Sequence, residues 1–317
     1  MTTAPTPPTP ARLRLRDREL ALRPGRPLVM GIVNANPDSF SDAVRHTTLD
    51  AQVELALALV AQGADLIDVG GESGVTYTGV TAAEVERDRV VPLVARLVAE
   101  GVCVSVDTWK PLVADAALDA GAHVLNDVSG LRDVGLADAA ARTGASLVVM
   151  HTRAAPKQEH FADYGGDVVA DIVAFVQERC AVARSRGVTD QQLIVDPGPD
   201  FAKTPAESVA AMRAVDRLAA LGRPWLAAVS RKYFLAAITG RPPAERLAGT
   251  LAAVGHAAEH GAAIVRVHDV AATVDFLAVA EVLAGRAAVG DVDPDDDALK
   301  WIRAPATPDA PVRGPES

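Results

Sequence analysis

One pattern recurs between residues 27 and 285 and constrains the fold more than any other feature of the chain. Each repeat has a short apolar run rich in Val, Ile and Leu, then a polar loop, and then a longer Ala-rich amphipathic stretch. The runs are PLVMGIV, ADLIDVG, VCVSVD, AHVLND, ASLVVM, QLIVD, WLAAVS and AAIVRV. Continuous apolar runs indicate strands buried on both faces, hence a parallel sheet with helical crossovers. Eight such units without a glycine fingerprint after the first strand predict an α/β fold of the closed (β/α)8 TIM barrel type.

The segments that flank these repeats have a different character. Residues 12–22, RLRLRDRELAL, alternate in strand fashion and predict a β-hairpin ahead of the barrel. Residues 1–11 are rich in Thr and Pro, and residues 286–317 are acidic and rich in Pro, so both are expected to be disordered tails. The predicted domain therefore covers residues 12–285.

Composition excludes several classes of function. A net charge of −10 argues against a nucleic-acid partner, which requires a basic surface. We expect no membrane segment, because no stretch approaches the roughly 20 uninterrupted apolar residues that a spanning helix needs. The start of the chain, MTTAPTPPTPARLRLR, lacks the apolar centre of a secretion signal. Cys103 and Cys180 both lie in apolar stretches, which predicts buried reduced thiols and a cytoplasmic protein.

Polar residues follow nearly every predicted strand. Active sites of such barrels lie where the carboxyl ends of the strands meet the following loops. A single Asp or Asn there is often only a helix N-cap, but a cap does not explain the whole set. The residues are Asn34, Glu72, Asp107, Asn126, Asp127, Met150, His151, Asp196, Ser230, Arg231, Lys232, Arg266 and His268.

These residue types suit the recognition of a flat heterocycle and a phosphate. A carboxylate such as Asp107 or Asp196 accepts two parallel N–H bonds from an aminopyrimidinone edge, and Lys232 can reach its carbonyl oxygen or ring nitrogen. Arg266 and His268, two apart on the last strand, can hold phosphate oxygens. Asn34, with the carboxylates of Asp38 and Asp42, offers the hard oxygens that Mg²⁺ prefers.

Six collinear blocks resemble the dihydropteroate synthases, and the resemblance extends from about residue 12 to residue 285. The blocks are MGIVNANPDSFSD, GADLIDVGGES, SVDTWKPLVADAALDAGAHVLNDVSG, DPGPDFAKT, SRKYFLAAITGRPPAERLAGT and IVRVHDV. The resemblance implies a transferase of folate biosynthesis. It would condense 6-hydroxymethyl-7,8-dihydropterin diphosphate with p-aminobenzoate, release diphosphate, use Mg²⁺ and form a homodimer through late barrel helices.

The resemblance also implies a role for each matched residue. Asn34, Asp42 and Lys232 would be catalytic, with the Asp42 carboxylate stabilising a cation-like transition state and Asn34 binding the metal. The implied pterin contacts are Asp107, Asn126, Met150, Asp196 and Lys232. The implied diphosphate contacts are Asn34, Arg266 and His268. The implied acceptor contacts are Phe40, Phe201 and Tyr233. The loop of residues 34–42 and the loop after Glu72 would close over the substrates.

Departures from the family pattern lie in the loops. Residues 35–36 are Ala-Asn where the family has Val-Thr, and residues 73–79 are SGVTYTG where it has Ser-Thr-Arg-Pro-Gly, so that Val75 offers no charge. Asp200 replaces a usual glycine and adds a negative charge near the acceptor, and Tyr233 lies at a variable position. Three hypotheses follow: an ordinary synthase with a divergent lid, a paralogue that uses the pterin diphosphate with a different amine or nucleophile, charged or uncharged, or a non-enzymatic pterin-binding homologue.

Overall fold

A computed structural model describes residues 12–35, 48–72 and 79–290 of the chain. An antiparallel hairpin of β1 (Arg12–Leu15) and β2 (Arg18–Ala21) opens the described part, which confirms that prediction. Every predicted apolar run then contains a strand. These strands are β3 (Leu28–Asn34), β4 (Leu66–Gly70), β5 (Val104–Asp107), β6 (Val124–Asp127), β7 (Ser146–Met150), β8 (Leu193–Asp196), β9 (Leu226–Ala227) and β10 (Ile264–Val267).

Helices follow the strands as the repeats predict. They are α1 (Leu49–Ala61), α2 (Ala83–Ala99), α3 (Pro111–Asp119), α4 (Gly135–Thr143), α5 (Val168–Ser185), α6 (Pro205–Arg213), α7 (Val215–Ala219), α8 (Tyr233–Thr239), α9 (Leu247–Glu259) and α10 (Val270–Leu283). Local sequence determines where several begin. Helix α6, for example, starts with a capping box of Thr204 and Glu207 around Pro205, whose missing N–H costs nothing in the first turn.

In the described ranges the eight strands form one parallel sheet that curls into a barrel. The strand order is β8-β7-β6-β5-β4-β3-β10-β9. The two outer strands meet where Val195 bridges Trp225 in parallel and the Val195 N–H donates to the Pro224 carbonyl at 3.0 Å. This closure confirms the (β/α)8 TIM barrel.

Two apolar cores stabilise the barrel. One lies between the strands and the helices, and the other lies inside the ring of strands. The inner core contains alternate strand residues such as Met30, Leu66 and Val148, and the hairpin residues Leu13 and Leu15 pack against it. Burial of a Leu or Val side chain contributes about 1.5–3 kcal/mol, so the hairpin closes one end of the barrel tightly. The opposite end, where the strands finish, is left for polar side chains.

Arginines of the hairpin region bind the carboxyl ends of two helices. Arg16 Nη1 donates to the carbonyls of Leu118 and Ala122, each at 2.8 Å, and Arg18 Nη1 donates to the Gly101 carbonyl at 2.7 Å. A cation at a helix carboxyl end complements the helix dipole and the unpaired carbonyls. None of the helices in the described ranges is long and apolar enough to cross a membrane.

Candidate active site

Four of the predicted pterin contacts lie together where the strands end. Asp107 of β5 is in register with Asn126 of β6, and Met150 of β7 is in register with Asp196 of β8. The relative exposures of Asn126, Met150 and Asp196 are 3%, 1% and 2%, whereas a quarter of the Asp107 side chain reaches solvent. Because these strands are neighbours in the barrel, the four side chains form the inner wall of one mouth.

A hydrogen-bonded ion network joins four strands at the base of this mouth. Arg266 Nε donates to Asp68 Oδ2 at 2.6 Å, and Arg266 Nη2 donates to Asp107 Oδ2 at 3.0 Å. Asn126 Nδ2 donates to the same Asp68 oxygen at 3.1 Å. We call Asp68, Asp107, Asn126 and Arg266 the floor network. The Asp68 side chain is fully buried, and its Oδ1 has no hydrogen-bond partner among the described residues.

The sequence predicts Glu72 as the functional residue that follows β4 and assigns no role to Asp68. Glu72 instead anchors a loop, because it accepts hydrogen bonds from Thr81 N, Trp109 Nε1 and Lys110 Nζ at 2.6, 3.2 and 2.9 Å. Alternation along β4 was the available signal. Side chains two apart on a strand share a face, so reading back from the end of the apolar run would have reached Asp68.

Burial perturbs the ionisable groups of the mouth. It raises the pKa of Asp107 to about 7, against the attraction of Arg266. It also raises the pKa of Asp196, although the Gly198 N–H and the Lys232 ammonium oppose the shift. Burial lowers the pKa of Lys232. Asp107 is therefore able to take up or release a proton near neutral pH, and the mouth can both donate to and accept from a heterocyclic edge.

Lys232 and Phe201 form one side of the mouth. Lys232 Nζ donates to the Pro199 carbonyl at 3.0 Å and lies 4.2 Å from the centre of the Phe201 ring, which is cation–π geometry. Tyr233, the next residue, is 63% exposed. We call residues 199–201 with Lys232 and Tyr233 the acceptor wall, because two predicted acceptor contacts belong to it.

Lys203 holds the loop of the acceptor wall, a role that sequence reasoning did not single out. Its ammonium is 2% exposed and donates to the carbonyls of His151, Gly198 and Phe201 at 3.1, 2.9 and 3.1 Å. Burial lowers the pKa of Lys203 to about 7. The three bonds tie the loop after β8 to the end of β7.

Several strand-end residues face away from the mouth. His151 is fully buried and its Nε2 lies 2.8 Å from Asp171 Oδ2, while burial lowers the pKa of this imidazole to about 3. Asp127 accepts hydrogen bonds from the N–H groups of Ser129 and Leu131 at 2.7 and 2.6 Å, so it shapes the following turn. Arg231 pairs with Asp269. His151, Asp127 and Arg231 are therefore each bound by other protein groups near the ends of their strands.

Arg266 on β10 and His268 just after it, both predicted diphosphate ligands, have different partners. Arg266 belongs to the floor network, whereas His268 Nδ1 lies 2.9 Å from Ser230 Oγ. Asn34 ends β3, in register with Gly70 of β4. Phe40, Asp42 and Asp38 lie outside the described residues, as do residues 73–78, so their predicted roles stay predictions.

The hairpin closes one end of the barrel, and carboxylates, an amide, a lysine and an arginine line the other end. This arrangement is typical of an enzyme active site that binds a polar heterocycle. Residues 30–268 match the family described as "Pterin binding enzyme". The chain belongs to this family, and within it to the dihydropteroate synthases.

Relatives of known name support that assignment. The dihydropteroate synthase of Bacillus subtilis (strain 168) is 39% identical over 245 residues, which cover 77% of this chain and 84% of that protein. The Mycobacterium leprae enzyme is 41% identical over 263 residues, covering 79% of this chain and 91% of that protein. A probable bifunctional folylpolyglutamate synthase/dihydropteroate synthase of Haloferax volcanii is 43% identical over 255 residues, covering 80% of this chain but 30% of that protein.

Solved structures agree with the fold. The Xanthomonas albilineans dihydropteroate synthase with 4-aminobenzoic acid has a TM-score of 0.79 at 44% identity and covers 88% of this chain and 99% of that chain. The Burkholderia cenocepacia enzyme complexed with 7,8-dihydropteroate has a TM-score of 0.78 at 41% identity and covers 87% of this chain and 97% of that chain.

Proposed function

We propose that this protein is a transferase that condenses 6-hydroxymethyl-7,8-dihydropterin diphosphate with an arylamine and releases diphosphate. The observation that carries the proposal is the convergence on one mouth of Asp107, Asn126 and Asp196, from three strand ends, with Lys232, the N-cap of α8, whose ammonium feels the charges of Asp196 and Asp107. Structures of relatives support the substrate class, since the Xanthomonas enzyme binds 4-aminobenzoic acid and 7,8-dihydropteroate, and the Thermus thermophilus enzyme binds 6HMPPP.

The buried groups would bind the donor and acceptor atoms at the edge of the pterin ring. Asp196 accepts the N–H donors of the aminopyrimidinone, Lys232 donates to its acceptor atoms, and Asn126 offers an amide to the other ring. Met150 packs against the ring face. Because Asn126, Met150 and Asp196 are fixed by the strands and shielded from water, they lose little by reorganising when charge develops on the substrate.

The diphosphate would lie beside Arg266 and His268. A bound Mg²⁺ would neutralise the leaving diphosphate. Asn34 supplies one hard oxygen that suits this ion, and no group of three or more His, Cys, Asp or Glu side chains in the described ranges could hold a metal by itself. The fit is to an ion held mainly by substrate phosphate oxygens, as Mg²⁺ often is in proteins, with Asn34 as its protein ligand.

The amine would approach along the acceptor wall. An arylamine is already nucleophilic, so it needs orientation rather than a strong base. The Phe201 ring supplies a flat apolar contact, and Lys232 lies between the pterin and acceptor positions. Asp42 and Phe40, which lie outside the described residues, would complete this side.

One turnover experiment tests the proposal. The protein is mixed with Mg²⁺ and the pterin diphosphate, and diphosphate release is followed with and without p-aminobenzoate. Release together with formation of dihydropteroate is the expected result. Release with another amine alone would favour the paralogue hypothesis, and pterin binding without release under any condition would reject catalysis.

We further propose that the protein forms a homodimer and functions in the cytoplasm. An apolar groove of about 300 Å³ lies between α6, α8 and α9 and includes Met212, Leu235 and Ile238, the last of them 66% exposed. A second copy would cover this face. Light scattering of the purified chain tests the dimer, and a monomer at micromolar concentration would refute it.

Cys103 and Cys180 are unpaired and buried, which suits the reducing environment of the cytoplasm. Cell fractionation tests this location.

A further inference from the structure

Asp200 connects the two halves of the acceptor wall. Its carboxylate accepts hydrogen bonds from the N–H groups of Tyr233 and Phe234, the first two residues of α8. Its own N–H donates to Ser208 Oγ at 2.9 Å. Both ends of the residue are therefore fixed, and the carboxylate cannot swing away from the wall when a substrate arrives.

The backbone of Asp200 has the conformation that glycine normally provides. Its φ is +66°, in the left-handed region. Asp tolerates this region better than most residues, but it brings a side chain that the glycine typical of the family lacks. Asp200 therefore follows a loop path that glycine would also allow, and it adds one negative charge to that path.

That charge acts on the same lysine that faces the acceptor position. Lys232 precedes Tyr233 in the chain and lies against the Phe201 ring. Among the charges around Lys232, the Asp200 carboxylate does most to offset the lowering of its pKa by burial. With glycine at position 200, the wall would present a net charge of about +1 from Lys232; with Asp200, the two charges cancel. A carboxylated amine thereby loses its attraction to this wall.

We infer that Asp200 is a specificity-determining residue that disfavours an anionic acceptor, so that this chain accepts an uncharged arylamine in preference to a carboxylated one. The inference rests on the proposed function. Its chemistry is uncompensated desolvation: a carboxylated amine loses water at a half-buried wall where Asp200 already compensates the Lys232 charge, a cost that an uncharged amine does not have.

The test compares p-aminobenzoate with its neutral isostere p-aminobenzamide. Calorimetry measures both dissociation constants on protein saturated with Mg²⁺, diphosphate and an unactivated dihydropterin, and turnover is measured separately with the pterin diphosphate. Asp200→Asn removes the charge and retains an oxygen that caps α8, whereas Asp200→Gly removes both. Asp216→Asn on α7 is the matched control, because it removes one charge from an exposed helix position.

Wild-type protein should bind the amide more tightly than the carboxylate. Asp200→Asn and Asp200→Gly should each shift the ratio of the two dissociation constants about tenfold toward p-aminobenzoate, equivalent to about 1.4 kcal/mol. Asp216→Asn should leave the ratio unchanged, and high salt should diminish the effect of Asp200.

An equal ratio in wild type and Asp200→Asn would overturn the inference, even if the protein releases diphosphate with p-aminobenzoate. Conversely, a shifted ratio without diphosphate release from any amine would support the inference about the wall and reject the proposed transferase activity. Failure of both amines to bind at millimolar concentration would overturn both.

Discussion

The floor network makes a specific prediction for the substitution Asp68→Asn. Asp68 Oδ2 accepts from Arg266 Nε at 2.6 Å and from Asn126 Nδ2 at 3.1 Å, in a side chain with no exposure to solvent. Asn has the same shape and keeps one acceptor oxygen, so the substitution removes the charge and little else. Arg266 would then rely on Asp107, whose side chain is 25% exposed.

The expected loss follows from the bond types. A hydrogen bond to a charged group contributes about 1.5–3 kcal/mol and a neutral one about 0.5–1.5 kcal/mol, so neutralising Asp68 weakens the Asn126 bond, which becomes neutral on both sides, by about 1–1.5 kcal/mol. The Arg266 guanidinium also loses one of its two carboxylate partners, which adds to the loss a part of the roughly 3–5 kcal/mol that breaking a buried ion pair costs. We expect the free energy of unfolding to fall by about 2 kcal/mol.

Urea unfolding at neutral pH measures this change, since a shift of the midpoint at constant slope reports stability alone. Asp115→Asn is the matched control. Arg142 bridges Asp115 and Asp119 as Arg266 bridges Asp68 and Asp107, but these side chains are about half exposed or more, so no measurable change is expected. A loss below about 0.5 kcal/mol for Asp68→Asn would refute the reasoning, because the buried pairing would then contribute no more than a surface pair.

Three further predictions concern the mouth. Lys232→Ala and Asp196→Asn should each abolish detectable pterin binding in calorimetry, and retention of wild-type affinity would contradict their role. Burial raises the pKa of Asp107 to about 7, so its protonation stabilises the fold below about pH 4, and this contribution is lost as the pH rises to about 7. Asp107→Asn should therefore flatten the dependence of the free energy of unfolding in urea on pH between about 4 and 7. Gly198→Ala should lower the free energy of unfolding by about 3 kcal/mol or more, because the new methyl group would lie 2.2 Å from the His151 carbonyl oxygen at φ +60°. Gly144→Ala, at φ +76° with open space around it, should cost only about 1 kcal/mol, and equal losses for the two would contradict the steric argument.

The structure also changes how Asp200 is understood. From the sequence, this residue adds a negative charge beside the acceptor, with nothing to indicate where its side chain points. Its carboxylate is bound to the first N–H groups of α8, so it both caps a helix and changes the charge of the wall. Helix α8 begins 33 residues after Asp200 in the chain, and no local rule connects the two positions.

The sequence by itself determined the architecture of this protein. Continuous apolar runs are typical of strands buried on both faces of a parallel sheet, and eight of them separated by amphipathic stretches fit a closed barrel better than an open sheet. It also placed Asp107, Asn126 and Asp196 at one end, because the end of a strand follows directly from the end of its apolar run.

Only the tertiary structure decided which polar groups pair. Asp68 lies inside an apolar run, where alternation can place its side chain on the inner face but cannot identify its partner Arg266, 198 residues away. Arg266, expected to face the diphosphate, also neutralises two floor carboxylates. The physical reason is that backbone periodicity is set locally, whereas the partner of a buried charge is set by the closure of the barrel, which brings the last strand beside the first.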